Sequence, residues 1–167
     1  LTAIKLTQTL FMALAALSMY GWVEDSLQSR SGAWLAAVAY TAAPFHLVNL
    51  YTRGDSLSEF AAFAFFPFIL WGFDQLAARP SLRHTLLPAF AYAGLIITHN
   101  VSALIFSPFI LLYVAFHSSR LTTLDPDRSL RAVAPHLALL ALPLLAALLV
   151  SAWFWLPAIA ETGYVQL

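Results

Sequence analysis

In the stretch NLYTRGDSLSEF, Asn49–Phe60, one cation and two acids (Arg53, Asp55 and Glu59) interrupt an otherwise oily sequence. A guanidinium can hold a phosphate or carboxylate through two parallel N–H donors. The free amides at the start of a helix form a second anion site beside it. Arg53, the Gly54 turn and such amides would together suit a lipid phosphate. Part of the pattern also has a purely structural reading. Ser56 followed three residues later by Glu59 is a capping box, and Asp55 complements the positive end of the same helix dipole. Arg53 is the residue that capping does not account for; it either snorkels to the interface, pairs with Asp55 or Glu59, or holds an anion.

Two further polar islands matter. In THN, Thr98–Asn100, His99 has the chemistry of an acid, a base or a phosphate donor, and an imidazole at a helix end needs a partner if it is buried. Asn100 reads as a turn residue that ends one helix and caps the next. In LPAIAETGYVQL, Leu156–Leu167, Glu161 follows the Pro157 break as an interfacial acid or a group that positions hydroxyls. A lone histidine is a weak metal signal, and a chain without cysteine has no thiolate site. A divalent metal is compatible with the acids but is not argued from them, so the cofactor is unknown. There is no P-loop, dinucleotide fingerprint or nucleophile elbow, and a catalytic residue is not identified.

The elements that carry these residues are helices in a membrane. Of 167 residues 61% are hydrophobic and 10% charged, against about 25% charged in soluble domains. A soluble fold of this size exposes too much surface to hide that load. Eight basic residues balance eight acidic ones, which argues against nucleic acid as a partner. A helix needs about 20 apolar residues to cross roughly 30 Å of hydrocarbon. On that rule the sequence predicts an all-α, polytopic bundle of about six spans, near 6–23, 33–50, 57–77, 82–98, 101–117 and 135–159. Residues 1–167 read as one transmembrane unit, and the start at Leu1 in apolar sequence reads as an internal fragment of a larger protein.

Basic residues in short loops favour the cytoplasm. Arg30, Arg79, Arg83, Arg120, Arg128 and Arg131 fall on one side of such a bundle, and Lys5 and Arg53 on the other. This places all three polar islands at the external face. Trp153 and Trp155 suit an aromatic belt there. His46, past Pro44, reads as facing a groove where its helix bends. His84, His117 and His136 read as interfacial at the cytoplasmic ends, and Asp74 as the partner of a nearby arginine.

The segments AAPFHLVNLYTRGDSLSEFAAFAFFPFILWGF, THNVSALIFSPFILLY and SAWFWLPAIAETGYVQL resemble the membrane proteins labelled 6-pyruvoyl-tetrahydropterin synthase-related. These are large polytopic proteins of bacteria and archaea, similar to the GT-C superfamily glycosyltransferases and to YfhO-type membrane proteins. The resemblance rests on Tyr51-x-Arg53-Gly54 with Glu59, on Thr98-His99-Asn100, and on Trp153-x-Trp155-Leu156-Pro157 with Glu161. It implies a GT-C-like bundle in the cytoplasmic membrane of a bacterium or archaeon. It also implies an external site in the cell envelope that takes a sugar from a polyprenyl-phosphate donor. The acid that serves as base or metal ligand in such enzymes lies in an external loop expected ahead of this fragment. Arg53, Glu59, His99, Asn100 and Glu161 are then substrate-binding candidates. The alternative is a non-catalytic envelope protein that binds or moves a lipid-linked intermediate, as a transporter or scaffold.

Overall fold

The computed structural model describes residues 2–51, 56–124 and 130–164, with the backbone alone at 50, 119–124, 130–133 and 164. Every regular element among them is helical. In chain order these are α1 (Thr2–Leu27), α2 (Arg30–Thr41), α3 (Pro44–Tyr51), α4 (Leu57–Ala62) and α5 (Phe65–Ala78). A 3-10 turn (Leu82–Thr85) leads into α6 (Leu86–Thr98), then α7 (Asn100–Leu124), α8 (Leu130–Val150), α9 (Ala152–Ala160) and a last 3-10 turn (Thr162–Tyr164). Among the described residues, three stretches are long and apolar enough to cross a membrane: Thr2–Leu27, Leu57–Ala78 and Asn100–Ser118. Ala134–Val150 and Ala152–Ala160, bent by 64°, make a fourth if the bent pair is one span. The stretch at 33–50 is divided between α2 and α3, and that at 82–98 between the 3-10 turn and α6. With 13 residues, α6 rises about 20 Å, short of the full hydrocarbon thickness.

Proline explains where the helices break. Pro67 has no N–H to give to the carbonyl of Phe63, four residues earlier. The hydroxyl of Tyr40 donates to that carbonyl instead, at 2.7 Å. Next to it, Ser18 Oγ donates to Ala64 O at 3.2 Å. Pro44 likewise has no N–H for Tyr40 O; that oxygen accepts the N–H of Ala43 at 3.3 Å, and His46 Nδ1 meets it at 2.9 Å. A backbone group freed inside hydrocarbon must be satisfied by protein, and each of these two breaks carries its own side-chain donors. His46 is therefore no groove residue. It is 2% exposed and lies among the rings of Tyr40, Phe60 and Phe63, with centroids 5.1, 5.7 and 4.7 Å away.

The core runs through α5, α6, α7 and α8, with Ile69, Phe73, Leu95, Ile110 and Leu140 almost completely enclosed. Small residues bring the helices close. A Cβ on Gly72 would lie 2.6 Å from Cδ of Pro88 and 2.7 Å from its nitrogen, so α5 meets α6 at backbone distance. One on Gly21 would strike the Trp71 ring at 2.6 Å, which fixes the approach of α1 to α5. This is the small-residue packing that membrane helices use when lipid leaves no hydrophobic gain between them. The outward faces carry exposed Leu10, Leu35, Ile105, Leu112 and Leu149, the expected finish of a surface turned to lipid.

Candidate functional site

Contacts between the helices show which ends of the described elements coincide. Gly72 beside Pro88 and Gly94 beside Phe65 make α5 and α6 antiparallel. The bond between Tyr92 Oη and Ser107 Oγ, 2.6 Å long, ties α6 to α7, and Phe66 and Phe106 lie 4.4 Å apart. The first part of α8 lies beside the 3-10 turn, where His84 and His136 line one cleft. The start of α4, the α6–α7 junction and the α8–α9 bend thus lie toward the opposite end.

Arg53 lies outside the described residues. Glu59 sits half-buried in the first turn of α4. Ser56 makes no side-chain cap there; the N–H of Phe60 is bonded to its carbonyl at 3.0 Å. His99 breaks α6 from α7 in an extended conformation. Its Nδ1 accepts the N–H of Ser102 at 3.1 Å and stands 2.7 Å from Ser102 Oγ. An acceptor on the residue before a helix, bonded to the amide three residues on, is N-cap geometry. The cap expected of Asn100 is therefore made by His99, and Asn100 is exposed at the first position of α7. Glu161 is exposed at the end of α9, where its N–H reaches Pro157 O at 2.9 Å.

The densest polar arrangement lies at the other end. Both oxygens of Asp74 are in use. Oδ2 accepts from Trp22 Nε1 at 2.7 Å and Ser26 Oγ at 3.1 Å, and Oδ1 accepts from Tyr113 Oη at 2.6 Å. His117 Nε2 stands 2.8 Å from Oδ1, at ion-pair distance though not aligned as a hydrogen bond. The expected arginine partner of Asp74 is thus replaced by these groups from α1 and α7. One turn away, Asp25 Oδ2 accepts from Trp71 Nε1 at 2.5 Å and Gln75 Nε2 at 3.3 Å. Asp25, Asp74, His84, His117, His136 and Arg79 line a common cleft of about 600 Å³.

Sequence reasoning treated these residues one at a time. A signal was present, because Trp22 and Ser26, Trp71 and Gln75, and Tyr113 and His117 are each spaced by four. On a helix that spacing gives one polar face. Asp74 inside an apolar span is also a residue that demands partners.

No protein-family model and no solved structure matches the chain. Over 94 residues, 56% of its length, the chain is 30% identical to an uncharacterized protein of Lactococcus lactis subsp. cremoris (strain MG1363). The match spans 15% of that relative, so the chain is similar to a small part of a much longer protein.

Proposed function

We propose that the chain is a membrane-embedded part of a GT-C-like glycosyltransferase that uses a polyprenyl-phosphate-linked sugar at the external face of a cytoplasmic membrane. The observation that supports it is the common end shared by the start of α4, the α6–α7 junction and the α8–α9 bend. In this reading Glu59, His99, Asn100 and Glu161 meet one ligand together with Arg53. In this reading the bundle crosses six times: α1, α2 with α3, α4 with α5, the 3-10 turn with α6, α7, and α8 with α9. The end bearing Arg30, Arg79 and Arg83 faces the cytoplasm.

Chemically, an acceptor hydroxyl attacks the sugar C1 while a base supplied from elsewhere in the protein removes its proton. The polyprenyl phosphate leaves, and Arg53 with neighbouring amides stabilises its growing charge. Glu59 and Glu161 position hydroxyls or Arg53. The test is release of polyprenyl phosphate from a polyprenyl-phosphate hexose by the full-length protein in liposomes. Arg53→Ala lowers turnover at least tenfold, whereas Lys5→Ala at the same face leaves it unchanged; equal effects overturn the reading.

His99 Nδ1 is engaged by its own helix cap, so His99 meets phosphate or sugar through Nε2 in this reading.

A further inference from the structure

The cleft at the arginine-bearing end divides its groups into two sets. One set is its carboxylates, half-buried Asp74 and exposed Asp25. Asp74 accepts from Trp22, Ser26 and Tyr113 and lies against His117, so three donors and an imidazole surround one negative charge. Asp25 takes Trp71 and Gln75 on a single oxygen. The second set, exposed Arg79 and half-buried His84, consists of donors. Arg79, the exposed residue that ends α5, makes no ion pair among the described residues. His84 Nδ1 lies 2.8 Å from Ser81 Oγ. A hydroxyl that donates to Nδ1 leaves the ring proton on Nε2, as a donor.

We propose that this cleft binds a phosphate group, held by Arg79 and His84. Three features point there. Arg79 follows directly on the apolar stretch Leu57–Ala78, so in a membrane its guanidinium lies at the depth of lipid phosphates. A guanidinium fork matches two phosphate oxygens at once. A volume of about 600 Å³ exceeds a bare phosphate and has room for the groups esterified to it. No three of the histidine and acidic groups among the described residues are arranged to hold one metal ion, so the donors are not read as a metal's ligands. The proposal is independent of the glycosyltransferase reading, whose described residues lie toward the other end.

The same phosphate chemistry is offered by free phosphate and by an anionic lipid headgroup. Two arms distinguish them, both on the full-length protein in nanodiscs. In phosphatidylcholine discs, inorganic phosphate is titrated. In discs containing phosphatidylglycerol and no phosphate, retained lipid is counted by native mass spectrometry. Saturable phosphate binding that Arg79→Gln weakens at least about tenfold identifies the free ion. Phosphatidylglycerol retention lost in Arg79→Gln identifies the lipid. In either arm His84→Gln weakens binding severalfold, and Arg83→Gln, on the same turn but outside the cleft, stays near wild type. Arg79→Lys retains part of the binding, which separates loss of a ligand from loss of fold. Absence of binding in both arms, or an equal loss in Arg83→Gln, overturns the proposal.

Discussion

Asp74 of α5 and His117 of α7 stand 2.8 Å apart, each in a stretch long and apolar enough to cross a membrane, and Trp22 and Ser26 of α1 close on the same carboxylate. One side chain thus joins three helices. Hydrogen bonds between membrane helices average only about 0.6 kcal/mol each, but removing the shared acceptor strands several donors together. Asp74→Leu is expected to cost about 2–4 kcal/mol, read as loss of thermal stability in detergent. Loss of the acid without a change in melting would mean that the donors find other partners.

The Tyr40 hydroxyl substitutes for an amide that Pro67 lacks. Tyr40→Phe should cost about 1 kcal/mol. In a Pro67→Ala background the new residue brings back the N–H for Phe63 O, and the same change should cost close to nothing. A double-mutant cycle gives the coupling directly. Additive effects would show that the two groups do not serve the same carbonyl.

Gly72→Ala places a methyl 2.6 Å from the Pro88 ring and 2.7 Å from its backbone nitrogen. The backbone there cannot yield as a flexible side chain would. Overpacking of this kind costs about 1–3 kcal/mol. Gly163→Ala, with nothing within 4 Å of its added carbon, should be silent, and thermal melts of the two variants make the comparison.

His99 caps α7, so His99→Ala should lose about 1 kcal/mol and His99→Asn much less, because asparagine is a good N-cap. Donor-sugar turnover separates capping from substrate contact. A His99→Asn protein that is stable and inactive keeps the imidazole in the site, whereas one that is stable and fully active reduces it to a cap.

Gln28 has φ +52°, the left-handed conformation that glycine adopts most cheaply. It ends α1, with its N–H on Glu24 O at 2.8 Å and its side chain donating to Asp25 O at 3.0 Å. Gln28→Gly removes that second bond and relieves the backbone, and the two effects nearly cancel. Its melting temperature should match wild type within a few degrees, and a large drop would show that the Gln28 side chain holds the α1–α2 turn.

Much of the fold was legible because its causes are local. Apolar runs without alternation admit only helices, and Pro44 and Pro67 mark breaks through chemistry confined to four residues. The His99 cap was half legible. The turn could be read, but which of two adjacent polar residues turned inward to Ser102 depended on the extended backbone at position 99. The Asp74 cleft was not legible as a unit, since its groups come from helices distant in sequence, with Trp22 and Asp74 separated by 52 positions and Tyr113 and Asp74 by 39.

By itself, then, the sequence determined the all-helical class, the apolar character of the segments and the alternation that sends Arg79 and His99 to opposite ends. Those properties follow from composition, span length and proline, which act on each segment separately. The tertiary structure decided which side chains supply the bonds the prolines remove, which helices Asp74 joins, and that three histidines read as separate interfacial residues open on one cleft. Such pairings depend on helix rotation and crossing, and these are set by close contacts such as Gly72 with Pro88 and Gly21 with Trp71, which no single segment contains.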